Sequence, residues 1–264
     1  MSRASRVLIT RPGERARPLL AALDGLGVAG VALEVMRLEA LPETQAQRSA
    51  WLDFDEFRHV IVVSPFAADC LAEALDRYWP QLPLGPRFYA VGGATAERLH
   101  RLLGVGVRVP PPGQGDTSEA LLTLAGLRRL DEQKVLLVAG EGGRPLLAET
   151  LAARGARVTR LALYRRRCLP PAPEAVDWLA RGDYRALVIT SGELLEHLAP
   201  WCGEAALNQP LIVSSPRLAT LAGSLGFTKL HTATGATPAA LAAAVAGACN
   251  LDGAEPDHDD LDKG

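Results

Sequence analysis

The chain has 264 residues and a mass of 28.0 kDa, with 48% hydrophobic and 22% charged residues, a net charge of −2 and a mean hydropathy of +0.09. That length is too great for one small core and suits two domains of roughly 100 to 150 residues, and no run of about 18 apolar residues exists to cross a bilayer. A pI near 6.2 argues against the basic face of a nucleic-acid binder, so any anionic ligand must be met by local donors and not by bulk charge.

In chain order, the first element is the strand-like run "RVLIT" (6–10), which follows "MSRAS" without the apolar stretch and small-residue cleavage site of an export signal; a cytosolic address is expected. Further β-branched runs are "VIVVS" (60–64), "FYAVG" (88–92), "KVLLVA" (134–139), "ALVITS" (186–191) and "PLIVSS" (210–215). Each leads through Gly or Pro into an alanine- and leucine-rich helix such as "AADCLAEALDRYW" or "TAERLHRLL", the alternation of an α/β protein with parallel strands. Proline clusters in "PPPGQGD" (110–116) and "RRRCLPPAPEAV" (165–176) read as stiff, extended connectors. The tail "DGAEPDHDDLDKG" (252–264) is acidic and lacks apolar periodicity, so residues 251–264 are expected to be disordered.

The chain repeats itself. "ITRPGERARPLLAALDGLGVAGV" (9–31) has a counterpart in "VAGEGGRPLLAETLAARGARV" (138–158), "FRHVIVVSPFAADCL" (57–71) in "YRALVITSGELLEHL" (184–198), and "YAVGGATAERLHRLLGVGV" (89–107) in "LIVSSPRLATLAGSLGFTKL" (211–230). Gly27 and Gly155 lie 128 residues apart, and Ser64 and Ser191 127 apart. A common order at nearly one offset points to two similar halves.

In an open parallel sheet, ligands settle at the carboxyl ends of the strands, where helix N-termini present unpaired N–H groups. Those ends hold Thr10, Arg11, Ser64, Gly92, Thr95, Gly142, Arg144, Thr190, Ser191, Gly192, Ser214 and Arg217, the candidate ligand-binding residues. Each also has a plain structural explanation in helix capping and turn chemistry. "GEGGRP" (140–145) follows a strand and opens a helix, but it lacks the third glycine and the acidic ribose partner of a dinucleotide site. No phosphate-binding loop, zinc-protease helix or nucleophile elbow occurs. Cys70, Cys168, Cys202 and Cys249 form no CxxC pair, and the five histidines lack metal-ligand spacing, so neither metal nor disulfide is expected.

Taken together, "VLITRP", "VVSPFAA", "AVGGATAERL", "VAGEGGRPLLAETLAARGARVTRLALYRR", "ALVITSGELLEHL" and "IVSSPRLATLAGSLGF" resemble the uroporphyrinogen-III synthase family over about residues 5 to 248. The resemblance implies two similar doubly wound, flavodoxin-like parallel-sheet domains joined by a two-stranded extended linker, with the active site in the cleft between them. It also implies a discontinuous first domain, residues 1–38 plus 168–250, and an inserted second domain, residues 39–167, with "EVMRLE" and "ALYRRR" as the crossing strands.

The activity implied is that of a cofactor-free, monomeric lyase acting on hydroxymethylbilane, a linear tetrapyrrole received from the preceding deaminase. Water is lost and the ring closes with the terminal pyrrole inverted, through a spiro intermediate, giving uroporphyrinogen III. Tyr164 matches the family tyrosine at the end of the glycine-rich unit and is the candidate donor to the departing hydroxyl; an aromatic packed in a linker strand is the other explanation for it. Thr95, Ser64 and Ser191 match family positions and are expected to donate to substrate carboxylates, and Arg11, Arg144 and Arg217 to add charge-assisted bonds. In the second copy Arg217 replaces the threonine at position 95. A two-lobed binding protein or sensor, or a nucleotide-dependent enzyme using "GEGGRP", are the alternatives from other classes.

Overall fold

The computed structural model describes residues 6–11, 13, 16–111 and 113–250. The expected disordered tail therefore lies outside the described residues. In chain order the elements are β1 (Arg6–Ile9), α1 (Arg17–Asp24), β2 (Ala29–Ala32), β3 (Met36–Ala40), α2 (Gln45–Leu52), β4 (His59–Val62), α3 (Pro65–Tyr78), β5 (Arg87–Ala90), α4 (Gly93–Leu103), β6 (Val107–Arg108) and α5 (Ser118–Leu121). They continue with β7 (Lys134–Gly140), α6 (Leu146–Ala153), β8 (Arg157–Cys168), α7 (Pro173–Arg181), β9 (Ala186–Ile189), α8 (Gly192–Leu198), α9 (Glu204–Leu207), β10 (Leu211–Val213), α10 (Pro216–Ser224), β11 (Leu230–Thr232) and α11 (Pro238–Cys249).

These elements form two compact units, the first from the described residues within 6–37 and 168–250 and the second from those within 38–167. The first holds a sheet of order β11-β10-β9-β1-β2, and the second is built on the order β3-β8-β7-β4-β5-β6. Matching β1 to β7, β2 to β8, β9 to β4, β10 to β5 and β11 to β6 makes the two five-strand orders identical, as the repeat requires. Both five-strand sets pair in parallel throughout.

Parallel strands with helices on both faces are buried on both sides, which explains their nearly unbroken apolar runs. In β4, Val60 and Val62 join the cluster around Trp51, Phe54, Leu71 and Leu99, while Ile61 faces the opposite cluster of Tyr89, Leu121, Leu127 and Leu151. In β9, Leu187 and Ile189 face one cluster and Ala186 and Val188 the other. The alternation follows from the two-residue period of a strand. Among the described residues no helix is long and apolar enough to cross a membrane.

The observed strands stop one or two residues short of several runs read from the sequence, because the polar residue at the end of each run begins the next helix. Ser64 caps α3 with Pro65 at its first position, Ser215 caps α10 ahead of Pro216, and Thr237 caps α11 ahead of Pro238. A hydroxyl that accepts a first-turn N–H and a proline that needs no donor there both favour helix initiation at that point.

Candidate active site

At the carboxyl edge of the second unit the strand ends stand in the order β8, β7, β4, β5. Tyr164 lies on β8, opposite Gly140 at the end of β7, where the register shifts between Ala139 and Gly140 and the Glu141 N–H donates to the Tyr164 carbonyl at 2.7 Å. The Tyr164 ring covers Gly140 closely: a Cβ there would fall 2.7 Å from the Cε2 and Cζ carbons. Phe66, in the first turn of α3, meets the ring at 75° with 5.1 Å between centroids. The Tyr164 hydroxyl is 2.9 Å from Ser64 Oγ, which also accepts the Ala67 N–H at 3.1 Å. A hydroxyl pair thus stands at the positive end of a fourteen-residue helix.

Next along the edge, Gly92 caps α4 without a side chain, and Thr95 sits in the first turn, 4% exposed. The Thr95 hydroxyl makes no hydrogen bond to the described residues. Asp116 packs on Gly92 so closely that a Cβ would fall 2.4 Å from its Oδ2, which places a carboxylate beside the α4 N-terminus. Gly142 and Gly143 take φ of +69° and +79°, two successive left-handed residues that only glycine adopts without strain. Arg160 on β8 braces this loop, donating to the carbonyls of Gly140 at 3.0 Å and Gly142 at 2.6 Å. Arg144 forks onto Glu119, at 2.5 Å and 3.1 Å. That pairing raises the arginine's pKa and holds the glutamate below the usual carboxylate range. A ligand carboxylate would have to displace Glu119 to take the same fork.

The first unit presents a different set. Thr10 is 2% exposed and its Oγ1 donates to the Val188 carbonyl at 3.2 Å, so its proton is committed within the sheet. Arg11 donates to the carbonyl of Ala236, just before the α11 cap. Thr190 and Ser191 occupy the β9–α8 turn and Gly192 opens α8; Ser191 is the N-cap residue but makes no side-chain cap bond. Ser214 directly follows β10, and it is Ser215 that accepts a helix N–H, from Leu218 at 3.4 Å. Arg217 is exposed in the first turn of α10 and makes no ion pair with the described residues.

Phe66, Asp116, Glu119 and Arg160 were absent from the sequence-based set. Ser215, beside Ser214 at the end of "PLIVSS", is marked in the sequence by Ser-Pro at 215–216, which repeats Ser-Pro at 64–65. The partners of Arg144 and Gly140 come from distant parts of the chain and carry no local signature.

The family model described as uroporphyrinogen-III synthase HemD matches residues 18–243. The chain belongs to the uroporphyrinogen-III synthase family. It is similar to the uroporphyrinogen-III synthase of Salmonella typhimurium, 36% identical over 244 residues that cover 89% of this chain and 97% of the relative. The Escherichia coli protein of the same name is 33% identical over 245 residues, again 89% of this chain and 97% of the relative. Among solved structures, a mutant uroporphyrinogen III synthase of Thermus thermophilus shares the fold with a TM-score of 0.54 and 22% identity over 96% of this chain and all of the other. The Helicobacter pylori uroporphyrinogen-III synthetase does so with a TM-score of 0.58 and 14% identity, over 91% and 98%. Family membership agrees with the resemblance read from the motifs and gives no support to a binding protein without catalysis.

Proposed function

We propose that this chain is a lyase that closes hydroxymethylbilane to uroporphyrinogen III, with loss of water and inversion of the terminal pyrrole through a spiro intermediate. The observation that carries this reading is 36% identity to a curated uroporphyrinogen-III synthase along 97% of its length.

The reaction asks little of acid catalysis. Hydroxide leaves the hydroxymethyl carbon attached to a terminal pyrrole, which becomes a stabilised azafulvenium ion, and a single proton donor typically contributes about 10²- to 10⁴-fold. Tyr164 is the proposed donor, supported by its placement at the strand edge beside Ser64. Holding the terminal ring for attack at its substituted carbon is the larger task, because orientation can supply about 7 to 11 kcal/mol. The substrate's acetates and propionates need many donors, and backbone N–H groups at helix starts supply them without bulk positive charge. Thr95 and Ser191, whose hydroxyls bond no other described residue, are the proposed carboxylate donors, with Arg217 adding charge. A cytoplasmic monomer receiving the bilane from a deaminase belongs to the same proposal; a single species at the monomer mass in size-exclusion chromatography is its first consequence.

The test is a coupled assay in which hydroxymethylbilane is generated in place, the products are oxidised and isomers I and III are separated. Protein-dependent type III product is the expected result. Type I alone at the spontaneous rate, from folded protein, would overturn the reading.

A further inference from the structure

We propose that Ser64 is a positioning residue for the proton donor and not a ligand of substrate carboxylates; the inference rests on the reading of Tyr164 given above. The Ser64 and Tyr164 oxygens are 2.9 Å apart, and Ser64 Oγ accepts the Ala67 N–H at 3.1 Å. Two hydroxyls carry two protons, and their mutual hydrogen bond consumes one. Only one proton therefore faces outward, and the direction of the Ser64–Tyr164 bond decides which oxygen offers it.

With Ser64 donating, its oxygen still accepts from the helix and the phenolic proton points away from the pair. The Ala67 N–H polarises the serine hydroxyl and makes it a better donor, so three groups run in one direction from the α3 N-terminus to the phenol oxygen. The ring has little room to turn out of this line, since Gly140 lies beneath it and Phe66 against it.

In the reaction the Tyr164 proton passes to the bilane hydroxyl, the C–O bond breaks with its electron pair on oxygen, and water leaves. An azafulvenium cation and a phenolate remain. A hydrogen bond to an ionised acceptor is about twice as strong as a neutral one, so the Ser64 bond strengthens as the phenolate develops. That is stabilisation of the transition state over the ground state, which appears in kcat and not in KM. The proton released when the closed macrocycle regains its pyrrole rings returns to Tyr164, and one water is lost overall.

The experiment is a double-mutant cycle in the coupled assay. Ser64→Ala is expected to lower kcat by about tenfold with KM changed less than about twofold, and Ser64→Thr to restore most of the loss. Ser64→Gly, which keeps an acceptable N-cap, is expected to match the alanine variant, and melting temperatures report the lost cap separately. In a Tyr164→Phe background, Ser64→Ala is expected to change kcat by less than about twofold, because the group it serves is gone. An equal loss in both backgrounds, or a raised KM with kcat unchanged, would overturn this inference while leaving the synthase reading in place. Absence of type III product from the unaltered chain would overturn both.

Discussion

At the edge of the second unit a serine meets a tyrosine across 2.9 Å, whereas the matching serine of the first unit, Ser191, caps its helix without any side-chain bond. The residue 128 places before Tyr164, the spacing that separates Gly27 from Gly155, is Met36, which packs against the first unit's own core. The two copies of the repeat thus differ at this position, with a phenol in one and an apolar side chain in the other. Similar strand-helix units provide similar sets of N–H donors; what differs is which side chains the strand ends present. On the proposed reading the proton donor belongs to the second unit, and the first contributes binding.

The variants that break this comparison begin with Tyr164→Phe, expected to lower kcat by about a hundredfold, the lower end of the general-acid range, with KM little changed. Next is Gly140→Ala, whose Cβ would lie 2.7 Å from the Tyr164 ring and push the phenol off Ser64; steady-state kinetics should register a loss in kcat of about tenfold. Ser191→Ala and Thr95→Ala sharpen the contrast from the binding side. Each removes one donor and should raise KM by about fivefold at nearly constant kcat, a kinetic signature opposite to that of Tyr164.

Two smaller effects concern the second unit alone. Glu119→Gln should lower KM by about twofold, by releasing the Arg144 fork for a substrate carboxylate, and Arg144→Ala should cancel that gain. At the opposite end of β4, His59 is buried between Tyr89 at 3.2 Å and Gln133 at 2.7 Å. With Gln133 Oε1 accepting from Nε2, the other ring nitrogen takes the Tyr89 proton, and Tyr89 in turn accepts from Arg108 at 3.1 Å. Burial lowers the His59 pKa, and nearby arginines act in the same direction. The unfolded chain therefore binds that proton more readily, so stability is full above about pH 6.5 and falls as pH drops below it. Urea unfolding of the wild type at pH 8 and pH 5, compared with His59→Gln, measures the effect.

The fold class was legible because parallel strands buried on both faces must read as unbroken apolar runs, as "VIVV" and "ALVI" do. The serines at their ends were legible too, as residues that finish a strand and start a helix. After β10 it is Ser215 that caps the helix, and the Ser-Pro pair at 215–216 is what distinguishes it from Ser214 in the sequence. Tyr164 came from family resemblance and not from spacing. Its setting was invisible for a physical reason: the ring is held by Ser64, Phe66 and Gly140, brought together only when β8, β7 and β4 pair. The Glu119 carboxylate that occupies Arg144 comes from a different segment again, 25 residues earlier.

The most direct test of the central claim, that positioning outweighs acid catalysis and that the acid stands in the second unit, is the isomer composition formed by Tyr164→Phe. After subtraction of the spontaneous type I background, the account predicts a slowed reaction whose protein-dependent product is still type III. A variant that folds yet forms no type III product at all, or one that forms it at the unaltered rate, would contradict it.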